Sequence, residues 1–425
     1  MINETHDDKE LQHMKVLVVG AQLGNKGAES MLYIVTDEMK KRLPDAEVYF
    51  ATSFDYDASQ YTFKSFPLSH HGLEYAVNGH KVLPLLKGIC KDIVKKCTHK
   101  NPIIGHYLDV EKRFSAMDMM IDVSGFNLGK QWSMQTHRNF LNRIALAKRH
   151  NIPVYLMPQS FGPFDYDADM EGIKRLMESL LPYPKLIFAR EKEGYDELIH
   201  TFHLHNVVLS TDLVLQNTGI DWRNVFTSEP AIDVPKVADG SDSLEKHGIV
   251  GIVPNKQCFS HGNKDWNLKI YQAVIDQLLK DGYQVIIFRH SREDLEIAKM
   301  IKELYKNNSD VYLEKKEFSC LEYDEYVKQF SFIICSRYHG IVHAYRNFIP
   351  AIALGWAIKY QALADCVGQG QYAFDITEGL CSIEEIVGTV REMENKSLEN
   401  REMIREHVTE IQKNSCFDQM EMGMQ

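Results

Sequence analysis

The sequence predicts an α/β protein with two parallel sheets, on the strength of two observations. Short apolar segments, each followed by a polar or glycine-rich loop and an amphipathic segment, recur up to Asp212 and again from Ile249. This alternation is typical of parallel sheets covered by helices on both faces. Between the two runs, residues 216–247 lose the apolar periodicity and predict a linker. Two Rossmann-like domains that face each other across a cleft form the GT-B architecture.

The chain length agrees with more than one domain, because 425 residues exceed the size at which a single core stops growing. We predict an N-terminal Rossmann-like domain over residues 1–215, a linker over 216–247 and a C-terminal Rossmann-like domain over 248–381. Residues 382–425 are predicted to be helical and highly charged, and they can cross back to brace the first domain.

Composition excludes several classes of protein. The net charge of −11 argues against general nucleic-acid binding, which needs a basic surface. Residues 1–13 are polar and acidic, and no uncharged apolar run is long enough to span a membrane, so we expect a cytoplasmic location. The eight cysteines include no CxxC pair, which predicts reduced thiols, and we expect neither a metal site nor a cofactor.

The first predicted strand covers residues 15–20, and the loop AQLGNKGAES and a helical pattern follow it. The loop matches neither the GxGxxG dinucleotide fingerprint nor the Walker A motif. It offers Asn25 and Gly27, whose backbone N–H groups can face a ligand, and Glu29 at the start of the helix. A ligand-binding loop and a close-packed turn are equally good interpretations.

A second strand is predicted over residues 47–52, and a basic stretch follows it over residues 81–100. Six lysines alternate there with apolar residues, which is a basic amphipathic pattern in an otherwise acidic chain. Such a face can lie on an anionic membrane surface, here the inner face of the membrane. The alternative, which is somewhat more common, is a solvated lysine face over a core stripe.

Further strands deliver polar side chains to one sheet edge in each half of the chain. They are predicted over residues 119–123, 154–157, 186–188 and 284–288. The polar residues that follow them are Ser124, Gln159, Arg190, His290 and Asp294. Because ligands of parallel sheets bind outside the carboxyl ends of the strands, these residues are candidates for a binding site. His290 with Asp294 can be an acid/base pair or an ordinary helix start.

The stretch FIICSRYHGIVHAYRNFIPAIAL, residues 332–354, predicts a buried strand, a helix and another strand. Ser336 is predicted to cap the helix, whose body runs from Ile341 to Arg346. The turn itself holds Arg337, Tyr338, His339 and Gly340. An arginine or a histidine alone at such a turn is more often structural, but together they favour a ligand site. A helix N-terminus attracts negative charge, so we expect an anionic ligand.

An ordered series of motifs resembles the polysaccharide pyruvyl transferases over residues 15–375. The series is GNKGAE, the Ser124-Gly125 turn, QSFGPF, Arg190 with Glu191, Asp212, His290 with Asp294, and SRYHG followed by Lys359. The resemblance implies transfer of pyruvate from phosphoenolpyruvate to two hydroxyls of a sugar in a bacterial-type polysaccharide or its lipid-linked precursor. The products are a cyclic ketal and phosphate.

The resemblance also implies roles for the candidate residues. His339 would transfer protons or hold the leaving phosphate, Arg337 would clamp the phosphate or carboxylate, and Lys359 would complete the anion site. The first domain would hold the acceptor and the second the donor. The expected substrate-binding residues are Arg190, Ser336, Tyr338, Gly340, Asn25, Gly27, Glu29, Ser124, Gln159, His290 and Asp294.

Two alternatives remain open. A nucleotide-sugar glycosyltransferase shares the two-domain cleft, and Glu317 and Glu325 have the spacing of an acid pair found in such enzymes. They precede the strand at Phe332 instead of following it, which favours a chance match. The second alternative is a non-catalytic scaffold of polysaccharide assembly, against which the presence of Arg337, His339 and Lys359 argues.

Overall fold

The computed structural model describes residues 13–97, 105–167, 170–237, 248–355 and 358–420. It has two parallel sheets with helices on both faces, which confirms the predicted α/β class. The predictions for residues 1–12, for residues 98–100 of the basic stretch and for residues 238–247 of the linker lie outside the described residues. No helix within the described ranges is long and apolar enough to cross a bilayer.

The first sheet contains seven strands within the described part of the chain. They are β1 (Lys15–Val19), β2 (Glu47–Thr52), β3 (Lys64–Pro67), β4 (Met119–Asp122), β5 (Val154–Gln159), β6 (Leu186–Ala189) and β7 (Val207–Leu209). Their order across the sheet is β3, β2, β1, β4, β5, β6, β7, and all the pairings are parallel. The order reverses between β1 and β4, so the loops after these strands flank a crevice.

Amphipathic helices cover both faces of the first sheet. They are α1 (Lys26–Arg42), α2 (His70–Val77), α3 (Val82–Cys97), α4 (Val110–Phe114), α5 (Met134–Arg149), α6 (Glu171–Leu180), α7 (Lys192–Phe202), α8 (Leu213–Gln216) and α9 (Trp222–Val225). The side chain of Asn25 caps α1 by accepting from the Ala28 N–H, and that of Ser133 caps α5 by accepting from the Thr136 N–H. Helix α9 lies inside the segment that the sequence predicted to be an aperiodic linker.

The second sheet contains six strands in the residues that the structure describes. They are β8 (Ile249–Val253), β9 (Gln284–Ile287), β10 (Val311–Leu313), β11 (Phe332–Cys335), β12 (Ala351–Gly355) and β13 (Ala373–Asp375). The order is β10, β9, β8, β11, β12, β13, so the direction of the strand order in this sheet reverses between β8 and β11. Its helices are α10 (Lys256–His261), α11 (Lys264–Lys280), α12 (Leu295–Glu303), α13 (Cys320–Val327), α14 (Tyr338–Arg346), α15 (Ile358–Asp365) and α16 (Ile383–Ile411).

One hydrophobic cluster runs through both domains, because α1 and α14 pack against each other between the sheets. Met31 and Val35 of α1 share this cluster with Ile341 and Tyr345 of α14. Helix α16 crosses back, and its Ile404 and Val408, followed by Phe417, join the same cluster. The Arg42 guanidinium pairs with Asp418 at 2.6 Å, which ties the C-terminal segment to α1.

Buried polar contacts also connect the domains. The Lys26 ammonium donates to the His290 carbonyl at 2.6 Å, and the Cys320 N–H donates to Glu29 at 3.3 Å. Ser30 Oγ lies 3.4 Å from Nε2 of His343, whose Nδ1 lies 2.7 Å from Asp324. These contacts hold the carboxyl ends of β1 and β11 on opposite walls of one cleft.

Candidate functional site

A cavity of about 730 Å³ lies in the cleft between the two sheets. Loops after β1, β4, β8 and β11 contribute Gly20, Ser124, Asn255 and Arg337 to its wall. Both places where the strand order reverses therefore open into the same cavity, as expected for a ligand site in doubly wound sheets. The predicted site residues that line it are Asn25, Ser124, Arg190, His290, Arg337, Tyr338, His339 and Lys359.

The strand-to-helix turn after β11 forms differently from the prediction. Helix α14 begins at Tyr338, ahead of the predicted helix body of residues 341–346, and Arg337 is the N-cap residue in place of Ser336. Ser336 was wrongly predicted to cap the helix. Its buried hydroxyl lies 2.6 Å from the hydroxyl of Tyr271, and its carbonyl accepts from Asn255 and Tyr360. Ser336 thus holds the turn against its neighbours, while the start of α14 forms part of the cavity wall.

Arg337 lines the cavity, but two carboxylates already bind its guanidinium. Nε donates to Asp294 at 2.8 Å, and Nη2 donates to Asp294 at 2.5 Å and to Glu293 at 2.6 Å. Burial opposes the charge, but the carboxylates outweigh it and raise the pKa of Arg337 above its ordinary value. The two carboxylates therefore fix the position of the Arg337 guanidinium and keep it positively charged. An anionic ligand that binds Arg337 would share the guanidinium with these carboxylates.

Asp294 lies behind Arg337 and positions it. The carboxylate also accepts from the backbone N–H groups of Lys256 at 2.9 Å and Ser291 at 3.0 Å. His290 and Asp294 are not hydrogen-bonded to each other in the described structure, so the suggested acid/base pair does not form. His290 is buried, and burial followed by the nearby Lys26 charge lowers its pKa well below the ordinary value.

His339 projects from the first turn of α14 beside Asp212. Its Nε2 lies 3.6 Å from the Asp212 carboxylate, which is an ion-pair distance longer than a hydrogen bond. Burial lowers the pKa of His339, although Asp212 opposes this effect. The lowered pKa favours the neutral form of the imidazole, which can accept a proton.

Arg190 is buried, and its two terminal nitrogens donate to protein groups. Nη1 donates to Asp212 at 2.7 Å, while Nη2 donates to Ser160 Oγ at 2.7 Å and to the Gly125 carbonyl at 3.0 Å. The guanidinium also lies over the Tyr338 ring, 4.5 Å from its centroid. These contacts join the loops after β4, β5 and β6 to α14, so Arg190 organises the wall as well as lining it.

Lys359, near the start of α15, has a different environment. Its ammonium lies 5.1 Å from the Phe126 ring centroid, 5.4 Å from that of Tyr338 and 5.8 Å from that of Tyr360. Among the described residues it forms no ion pair. Burial, followed by the Arg190 charge, lowers the pKa of Lys359 to about 8. The nearby Glu191 charge opposes this shift without forming an ion pair, so the ammonium remains a proton donor that suits an anionic ligand.

Other predicted residues shape the wall from behind it. Gly27 lies so close to His339 that a Cβ placed there would overlap the imidazole ring. Glu29 accepts from the Gly24 N–H at 2.9 Å and so fixes the loop before α1. Gly340 packs against the Cys335 thiol and the Tyr323 hydroxyl. Of these residues, Gly27 sets the distance between α1 and α14, and none of the three lines the cavity.

Two more predicted residues belong to the first domain's loops. Ser124 lines the cavity, and its hydroxyl accepts from Arg143 at 3.1 Å. Gln159 is buried and donates to the Met157 carbonyl at 3.3 Å, so it supports the loop from inside. Glu317 is one residue of the suggested acid pair. Its carboxylate pairs with the exposed Arg292 at 3.0 Å, and this ion pair gives Glu317 a structural role.

Asp212 and Phe126 were not predicted as site residues, although both lie at the cleft. Asp212 caps α8 by accepting from the Val214 N–H and lies between Arg190 and His339. Its place in the motif series was the one signal that could have identified it. Phe126 lines the cavity next to Lys359 and follows β4 by four residues, without a pattern that distinguishes it from a core aromatic residue.

Comparison with known proteins gives one family and one fold. A family model described as polysaccharide pyruvyl transferase matches residues 25–357. The S. aureus MnaA-UDP co-structure has a TM-score of 0.52 and 13% identity, with 92% of this chain and 90% of that chain covered. An S. aureus TarM mutant in complex with Fondaparinux, alpha-GlcNAc-glycerol and UDP has a TM-score of 0.53 and 11% identity, with 96% and 98% covered.

A third similar structure is the glycotransferase of kitacinnamycin, with a TM-score of 0.50, 12% identity, and 94% of this chain and 95% of that chain covered. None of the curated proteins is similar enough in sequence to count as a match. At these identities the likeness to solved structures shows the fold alone, and it confirms the predicted GT-B arrangement of two domains.

Proposed function

This chain belongs to the polysaccharide pyruvyl transferase family, and on that basis we propose that it transfers pyruvate from phosphoenolpyruvate to two hydroxyls of one sugar. The sugar belongs to a polysaccharide or to its lipid-linked precursor, and the products are a cyclic ketal and phosphate. The observation that carries this proposal is the shared cavity of Lys359, His339 and Arg337 at the start of α14. This cavity is lined both by Lys359, which forms no ion pair with any described residue, and by His339, whose pKa is lowered by burial.

The donor has a phosphate and a carboxylate on three carbons, so its site needs positive charge from more than one direction. Lys359 and Arg337 face the same cavity, and the N-terminus of α14 adds backbone N–H groups between them. We assign the donor to this part of the cleft. Arg190, which is bound to Asp212, supports the donor site by holding Tyr338 in place.

The reaction needs an acid and a base. Protonation of the donor's methylene carbon makes C2 electrophilic, and a sugar hydroxyl adds there as it loses its proton. The bond between C2 and the phosphate oxygen then breaks, and the second hydroxyl closes the ketal. One of the two hydroxyl protons balances the proton gained by the new methyl group, and the other leaves with phosphate. We assign the acid to Lys359 and the base to His339.

We place the acceptor on the first domain. A cavity of about 520 Å³ shares Gly20 and Gln22 with the central cavity. Its wall includes Ser53, Asp55 and Tyr56, whose polar groups and ring suit a polyhydroxylated ligand. The acceptor would therefore approach the donor across the loop after β1.

The test is phosphate release from phosphoenolpyruvate with a panel of lipid-linked and nitrophenyl glycosides. We expect His339→Gln to lower turnover by roughly 10²- to 10⁴-fold, because it removes the general base while leaving the fold intact. His200→Gln, on the exposed face of α7, is the matched control and should keep full activity.

Asp55→Asn tests the acceptor cavity. It should raise the KM for the acceptor without changing the KM for phosphoenolpyruvate.

The outcomes separate the alternatives. Unchanged turnover in His339→Gln would remove this residue from the mechanism. Tight binding of a nucleoside diphosphate with no binding of phosphoenolpyruvate would support a glycosyltransferase instead. Donor binding without phosphate release from any glycoside in the panel would favour a non-catalytic scaffold.

A further inference from the structure

Helix α3 exposes an apolar surface that none of the described residues covers. Val82, Leu83, Leu86, Ile93 and Val94 expose between 47% and 66% of their surface. Single exposed apolar residues are common, but several on one short helix mark an interaction site. We call this surface the α3 face.

The opposite side of α3 is fixed to the domain. Leu85 is buried, and Asp92 accepts from the Tyr107 hydroxyl at 2.9 Å. Gly88 approaches α2 so closely that a Cβ there would overlap the ring of His71. Because buried positions 85, 88 and 92 recur every three to four residues, the orientation of the helix is set and the α3 face points outward.

Lysines border the α3 face. Exposed positions 83, 86, 90 and 94 form one stripe along the helix, and Lys87 and Lys91 lie along its edge. Lys81 and Lys96, also exposed, lie near the two ends of the helix. The net charge of the whole chain is −11, so the charge of this border is opposite in sign to that of the protein as a whole.

We propose that the α3 face docks on a membrane surface that contains anionic phospholipids. Its apolar residues would enter the boundary between headgroups and acyl chains, and the lysines would contact the headgroups. The occupant is assigned as lipid by charge complementarity, because a basic border on an otherwise acidic chain matches anionic headgroups while the apolar stripe matches the acyl chains beneath them.

The position of α3 gives this docking a use, which rests on the proposed function. Helix α2, against which α3 packs, contributes His70 and Leu73 to the acceptor cavity. One helix therefore separates the α3 face from that cavity. Docking would hold the acceptor side of the cleft close to the membrane, where a lipid-linked sugar is presented.

The test is co-sedimentation of the full chain with vesicles of phosphatidylcholine, with and without phosphatidylglycerol. We expect binding to the anionic vesicles and about 10-fold weaker binding to the neutral ones. Leu83→Glu/Leu86→Glu and Lys87→Glu/Lys91→Glu should each lower binding by about 10-fold or more. The matched controls are Leu398→Glu on α16 and Lys264→Glu/Lys269→Glu on α11, which should bind as the unmodified protein does.

Unchanged binding in both α3 variants would overturn the proposal. A change of oligomeric state in Leu83→Glu/Leu86→Glu without lipid would overturn it too, because a second copy would then be the partner. Phosphate release with a short soluble acceptor should be unchanged in the α3 variants. Failure of docking is therefore distinguishable from failure of the proposed activity, since each is measured without the other.

Discussion

At the scale of single residues, the chemistry of the cleft depends on which positive side chains are already paired. Arg337 is bound to Asp294 and Glu293, and Arg190 is bound to Asp212. Lys359 lies among aromatic rings and, among the described residues, forms no ion pair. An incoming anion would therefore gain most from Lys359, because it need not compete there with a fixed carboxylate.

The titration of Lys359 should appear as a fall of kcat/KM at high pH, the alkaline limb of the pH profile. Because the pKa of Lys359 is lowered to about 8, the ammonium loses its proton and its charge as pH rises through that value. We expect kcat/KM for phosphoenolpyruvate to fall above about pH 8 and the limb to disappear in Lys359→Arg, whose charge persists. Lys359→Met should raise the KM for phosphoenolpyruvate by roughly 10- to 100-fold at neutral pH and, because it removes the proposed acid, should also lower kcat by roughly 10²- to 10⁴-fold. A limb that stays in place in Lys359→Arg would show that another group titrates.

At the scale of elements, the contact between α1 and α14 sets the geometry of the site. Gly27 in the first turn of α1 faces His339 in the first turn of α14, without space for a side chain. A methyl group at position 27 must displace the imidazole or move α1. The loop before α1 therefore affects the proposed base through packing.

Gly27→Ala should lower both stability and activity. Overpacking of this kind costs about 1–3 kcal/mol of unfolding free energy, and displacement of His339 should reduce phosphate release. Gly388→Ala on α16 is the matched control, because a Cβ there meets nothing within 4 Å. It should raise stability by up to about 1 kcal/mol, as alanine favours a helix more than glycine does. Denaturant unfolding measures both changes, and a neutral Gly27→Ala would contradict the packing argument.

At the scale of the whole molecule, the domains share one core and should unfold together. The cluster that joins them includes Val35 of α1, Tyr345 of α14 and Phe417 after α16. We expect a single thermal transition, with circular dichroism and tryptophan fluorescence coinciding. Phe417→Ala should destabilise this transition by about 3–5 kcal/mol without splitting it, whereas Leu398→Ala, at an exposed position, should leave it unchanged. Two separate transitions in the unmodified protein would show that the domains are independent.

Much of the fold follows from local pattern. Short apolar segments alternating with amphipathic ones predicted both sheets, and loss of that pattern marked the region between them, although α9 forms inside it. The N-cap of α14 was misplaced by one residue, because the hydroxyl of Ser336, which was expected to cap the helix, is hydrogen-bonded to Tyr271 instead. That competing partner is on α11, 65 residues earlier in the chain.

The amino-acid sequence by itself determined the two-domain fold and identified eight of the 21 residues that line the central cavity. It could do so because the carboxyl ends of parallel strands meet at one edge wherever the strands lie in the chain. Only the tertiary structure decided how the charges there are paired. Arg337 meets Asp294 over a separation of 43 residues, and Arg190 meets Asp212 over 22. No local pattern encodes such pairs, since they depend on how the loops of different strands approach each other, and they leave Lys359 as the cation that an anion can bind without displacing a carboxylate.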